Sequence, residues 1–211
     1  MLMGMIEIDS IHAFEDESFL KTITRWSVAV MVVGAAAAGF VGWFDAAGPT
    51  AEAVTFEGLA NGWGWPVAVL AYVLLLALLT AVALTAHEAV HALCFKLFAP
   101  KGSRVRFGAQ WDRGMIYACA EGIVFTRAQY LVAVTAPSVV VTALCASMGA
   151  AFGWPAFAGL VAALHLSGCT GDWFYAWTIA RNGKIFACED TSWGVRFLGE
   201  EPAGENEEDA G

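Results

Sequence analysis

Residues 65–95 read WPVAVLAYVLLLALLTAVALTAHEAVHALCF. From Trp65 to Ala86 no side chain is charged, and a helix of about 20 apolar residues is long enough to cross a bilayer. The run then places His87, Glu88 and His91 within five positions. Ionisable groups are costly in hydrocarbon and are kept there for function or for pairing with one another. The fold class and the chemistry both turn on this junction.

Working outward, three further stretches are long and apolar enough to span a membrane: 26–44, 128–152 and 156–180, beside 65–90 itself. The basic residues sort cleanly against these four spans. Lys21 and Arg25 precede the first span. Lys96, Lys101, Arg104, Arg106, Arg113 and Arg127 lie between the second and third, and Arg181, Lys184 and Arg196 follow the fourth. The two remaining connections carry no Lys or Arg. By the positive-inside rule both termini and the 96–127 loop are cytoplasmic, with Trp43, Trp63, Trp65 and Trp154 as an outer aromatic belt. The expected architecture is an all-α membrane protein of four transmembrane helices with a small cytoplasmic β-hairpin in the loop. Asp112-Arg113-Gly114 supplies the hairpin turn between β-prone flanks.

Composition agrees. The chain is 58% hydrophobic and 15% charged, against about 25% charged in soluble domains. Its formal charge of −9 leaves no basic patch for nucleic acid. Membrane lipids and a membrane-protein or peptide substrate are the expected partners. Residues 1–25 are expected as a cytoplasmic or interfacial segment. Ile11, Phe14, Leu20, Ile23 and Trp26 are spaced there for a short surface helix or a polar lead-in. Residues 181–211 are expected as an acidic, solvated tail, and residues 26–180 as the single transmembrane domain. The first apolar run lacks a basic segment directly before it and reads as a retained anchor instead of a cleaved signal. The five cysteines form no CxxC pair, so neither a disulfide framework nor a cysteine metal site is expected.

On a helix, positions i and i+4 share a face, so His87 and His91 can grip one ion. Glu88 lies about 100° round the helix, placed to take a proton from the attacking water. Chance matches to HExxH in a chain of this composition number on the order of 0.005. A catalytic zinc takes three protein ligands, and the intramembrane candidates for the third are His165 and Asp172. At 1.5 Å per residue His87 lies ~33 Å along its helix from Trp65, Asp172 ~26 Å from Pro155 and His165 only ~15 Å. Asp172 is therefore the expected third ligand. Glu121 in the loop is a fallback, and His165 orients Asp172, binds substrate or hydrogen-bonds within the bundle.

HEAVHAL at 87–93, the Tyr130 to Ala136-Pro137 stretch and SGCTGDWF at 167–174 together resemble an uncharacterised family of small integral-membrane zincin peptidases, distantly similar to site-2 proteases. The resemblance covers about residues 65 to 190. It implies zinc on His87, His91 and Asp172 with Glu88 as catalytic base, and hydrolysis of peptide bonds in or near the membrane. The acid here follows Gly171 and precedes Trp173, without the Asn-Pro found before the matching acid of site-2 proteases. Two other functions are compatible with the same residues: an inactive metalloprotease-like membrane scaffold, and a divalent-cation carrier. The lack of an internal repeat counts against the carrier.

Overall fold

The computed structural model describes residues 5–45, 51–103, 106–110 and 115–200. Among the described residues six helices and six strands follow one another. They are β1 (Met5–His12), α1 (Glu17–Asp45), α2 (Ala51–Trp63), α3 (Trp65–Phe98), β2 (Arg106–Gln110) and β3 (Met115–Cys119). After these come β4 (Val124–Thr126), α4 (Arg127–Phe152), α5 (Pro155–Gly168), α6 (Thr170–Arg181), β5 (Ala187–Thr191) and β6 (Gly194–Glu200). The chain is mostly helical, as expected, with a small antiparallel sheet at one end.

Helices α1, α3 and α4 are long and apolar enough to cross a membrane, and α5 is a shorter apolar helix. This is consistent with a membrane protein. Their outer faces carry Val32, Val33, Phe40, Leu74, Leu78, Val139 and Met148, each more than half exposed. A belt of that kind is unfavourable in water and is covered at no such cost by lipid. The helices start where local chemistry allows. Asp16 Oδ1 accepts from the backbone N–H of Ser18 at 2.8 Å and Phe19 at 3.0 Å, capping α1. Thr126 and Gln129 form a reciprocal capping box at the head of α4. Pro66 and Pro155 occupy the first turns of α3 and α5, where their missing N–H costs nothing.

The 156–180 stretch, read from sequence as one span, is two helices that meet at Cys169. The Cys169 N–H bonds to the Leu166 carbonyl at 3.1 Å, a tighter turn than the α-helix. Ser27 on α1 braces this joint, its hydroxyl 2.7 Å from both the Ser167 carbonyl and Thr170 Oγ1. Asp172 lies just beyond this joint, in the first turn of α6, and faces α3. Small residues let the helices approach: Gly34 of α1 lies against Ala163 of α5, Gly159 of α5 against Ala38, and Gly149 of α4 against Ala158.

The expected hairpin is present as β2–β3, paired antiparallel from Arg106 with Cys119 to Gln110 with Met115; its turn, at 111–114, lies outside the described residues. A second sheet, in the order β1-β6-β5-β4, was not read from the sequence. It takes residues 5–12 of the expected N-terminal lead-in and residues 187–200 of the expected tail. Val195 and Phe197 face the core while Arg196 points away, bonding Glu7 at 2.7 Å and Glu189 at 2.8 Å. A bulge between Glu7 and Asp9 shifts the register of β1 and turns Ile11 inward. The inner face packs on Phe19, Phe95, Tyr130 and Ile179 from four helices. Arg127 ties the sheet end to the bundle, donating to the carbonyls of Asn182 at 2.7 Å and Ile185 at 3.0 Å beyond the end of α6.

A leucine at position 34 would collide with Ala163, whereas Gly39 on the same helix faces open space. Gly34→Leu is expected to destabilise the fold by about 1–3 kcal/mol, the usual cost of overpacking. Gly39→Leu is expected to leave it unchanged, and thermal unfolding in detergent compares the two.

Candidate metal centre

Helix α3 runs on for about four turns beyond the point where a 30 Å apolar layer would end, at ~1.5 Å per residue, and the HEAVH segment lies on that last part. His87 and His91 share its inward face, each 7% exposed, with ring centroids 4.6 Å apart. Asp172, in the first turn of α6, meets them. His87 Nε2 and His91 Nε2 are 3.0 Å apart. Asp172 Oδ2 lies 3.2 Å from the first and 3.5 Å from the second. Ligands held 2.0–2.1 Å from one tetrahedral ion are themselves ~3.3–3.4 Å apart. The three atoms thus have the spacing and the chemistry of a zinc site with one position left for solvent or substrate.

The orientation of His91 follows from a proline. His91 Nδ1 lies 3.0 Å from the Ala133 carbonyl oxygen. That oxygen only accepts, so Nδ1 carries a proton, and Nε2 is the nitrogen turned toward Asp172 and His87. In a regular helix the Ala133 carbonyl would take the N–H of residue 137. Residue 137 is Pro137, inside α4, which has no N–H to give. The carbonyl it frees is the one His91 uses. In the sequence, the i, i+4 relation of Ala133 to Pro137 was the available signal.

His87 presents its other nitrogen to α5. Nδ1 is 3.2 Å from His165 Nε2 and 3.5 Å from Cys169 Sγ, and both of those residues are fully buried. His165 therefore faces His87, not Asp172 as one sequence reading had it. Glu88 is half-buried on the adjoining face of α3. Glu121 is engaged elsewhere, accepting from the Ser192 backbone N–H at 3.1 Å.

One further carboxyl faces the centre and was not found from the sequence, where it is one acid among those of an apparent tail. Asp190 on β5 accepts from the Tyr130 hydroxyl at 2.9 Å. Burial pushes its pKa up to about 7 against the opposing pull of Tyr130 and His91, and the charges of Asp172 and Glu88 add to the rise. The sheet is what delivers it to the bundle.

A bundle of apolar helices with a buried His-Glu-His helix and a facing carboxylate has the make-up of a zincin-type metal centre. A family model, DUF3267, described as "Putative zincin peptidase", matches residues 78–185. That is just over half of the chain, and the chain belongs to this family. The matched segment holds His87, Glu88, His91, Pro137, His165 and Asp172 and stops short of β5 and Asp190. No curated protein and no solved structure matches the chain.

Two outcomes follow from this geometry. Pro137→Ala restores an N–H that competes for the Ala133 carbonyl. It is expected to weaken zinc affinity about 10- to 100-fold, the usual effect of losing a ligand's outer partner, as read by competition with a chromophoric chelator. For Asp190 the folded pKa is raised above the unfolded value, so its contribution to stability is present below about pH 4 and is lost as pH rises through about 7. In metal-stripped protein, Asp190→Asn is expected to flatten that part of the stability profile, measured by denaturant unfolding across the same range.

Proposed function

We propose that this protein is a membrane-embedded zinc peptidase of the site-2-protease kind, hydrolysing peptide bonds in or beside the bilayer. The observation that carries this reading is the convergence of His87 Nε2, His91 Nε2 and Asp172 Oδ2 within 3.0–3.5 Å of one another at a buried site. These three atoms would hold the zinc. When bound, zinc lowers the pKa of water and polarises the scissile carbonyl. Glu88, next to His87 on the helix, takes the proton of the attacking water and passes it to the leaving amine. Ala133 and His165 hold the two imidazoles in the tautomer that leaves their Nε2 lone pairs free.

Membrane placement follows from the charge pattern. With α1, α3, α4 and the α5–α6 pair as four spans, every Lys and Arg lies on the side where α3 ends. The site then opens near the cytoplasmic leaflet. An apolar cleft of about 620 Å³ between α3, α4 and α5 supports entry from the lipid. It is lined by Leu79, Val82, Val141 and Val161 and ends at Ala83 and Ala86, one turn from His87. A transmembrane segment must unwind before hydrolysis, because its backbone groups are already paired. Strand β3 packs against α3, and the edge of this hairpin is placed to pair with the extended segment that results.

The test is metal content and hydrolysis in the same purified preparations. Wild type and Glu88→Gln are expected to hold about one zinc per chain and Asp172→Ala to lose it. Glu88→Gln is expected to cut cleavage of a labelled transmembrane peptide in proteoliposomes by 10²-fold or more. Zinc in wild type with equal cleavage, or none, in both forms would overturn the peptidase in favour of a metal-binding scaffold. Zinc flux across the vesicle wall would favour the carrier.

A further inference from the structure

Behind the first triad stands a second set of ligand atoms that the zinc of the proposed function would not touch. His87 Nδ1, His165 Nε2 and Cys169 Sγ lie 3.2, 3.5 and 3.6 Å from one another. For a tetrahedral ion with nitrogen at 2.0–2.1 Å and sulfur at 2.3 Å, the nitrogen–nitrogen separation is ~3.3 Å and each nitrogen–sulfur separation is ~3.6 Å. All three distances match. His165 and Cys169 have no exposed surface and His87 has 7%.

Hydrogen bonding alone does not account for this cluster. With its Nε2 turned to His87, His165 leaves Nδ1 buried and without a partner among the described residues, a cost of about 1–3 kcal/mol. The Cys169 thiol lies 3.3 Å from the helical carbonyl of His165, with the two imidazole nitrogens next to it. Two imidazoles and a thiol facing one point, in a space closed to water, make a set suited to a soft first-row or group-12 ion.

We propose that His87 Nδ1, His165 Nε2 and Cys169 Sγ form a second metal site, one that takes thiophilic divalent ions and shares His87 with the first. The sequence reading expected no cysteine metal site because no CxxC pair exists. Here the sulfur is joined to histidines by the α5–α6 break instead. Loading displaces the thiol proton, which leaves with solvent, and the ion takes the lone pair of His87 Nδ1. A neutral imidazole has one lone pair, so an ion here leaves Nε2 protonated and unable to serve the first triad. The two sites are alternatives, and a soft ion in the second switches the first off. The exclusion rests on the zinc reading above; the thiolate site itself stands on its own three ligands.

Cobalt(II) added to metal-stripped protein in detergent tests this, because a thiolate ligand gives a charge-transfer band in the near ultraviolet that nitrogen and oxygen ligands do not. Wild type is expected to show the band. Asp172→Asn, which cripples only the first triad, is expected to show it at wild-type strength or above. Cys169→Ser and His165→Ala are each expected to reduce it at least tenfold, the second with the thiol still present. Cys169→Ser should still bind one cobalt through the first triad. A band that survives in Cys169→Ser, or is missing from Asp172→Asn, would overturn the second site. A Cys169→Ser protein that binds no cobalt while Asp172→Asn retains its band would instead overturn the first.

Discussion

Pro137 has no N–H, and the arrangement of the metal centre depends on that absence. In a helix packed among apolar neighbours, an unpaired carbonyl is a strong acceptor with no water to satisfy it. His91 supplies the donor at 3.0 Å. A single covalent fact about proline thus satisfies a backbone group, selects a tautomer and aims a lone pair. Phe95 stacks on His91 one turn further along α3 and holds the ring from that side.

The other half of the centre depends on the break at Cys169. Had residues 155–181 run as one straight helix, Asp172 would lie seven positions and about 10 Å beyond His165. Both residues now face His87, one on each of its nitrogens. Gly168 precedes the break, and the hydroxyls of Ser27 and Thr170 pair at it. The indole N–H of Trp173 then donates to Ser138 Oγ at 2.8 Å, fastening the first turn of α6 to α4 next to Pro137. Two irregular points in neighbouring helices are in this way locked to each other, and the ligands on either side are positioned by the same contacts.

The helices and the candidate ligands were legible from the chain because each has a local signal. Apolar length marks the spans, and the i, i+4 spacing of His87 and His91 needs no tertiary information. Asp172 could be reached by counting helical rise from Pro155. What the sequence hid is non-local. The sheet joins residues 5–12 to 194–200 across nearly the whole chain, and short strands rich in acids resemble solvated tail until their partners are known. Asp190 was invisible for that reason. The bulge in β1 spoils its alternation, so Ile11 read as the start of a helical face when it in fact lies on a strand.

Charge balance gives the strongest physical argument for a cation at the centre. Asp172 and Glu88 bring negative charge to a place where, among the described residues, no Lys or Arg is buried. Buried carboxylates without a counter-charge are costly, and the usual solutions are a basic side chain or a metal. Two of the described arginines are engaged elsewhere: Arg127 on the carbonyls beyond α6, and Arg196 on Glu7 and Glu189. Positive charge at the centre comes from an imidazole paired with Asp172 or, under the proposed function, from a divalent ion held by His87, His91 and Asp172, whose ligand atoms have the spacing it needs.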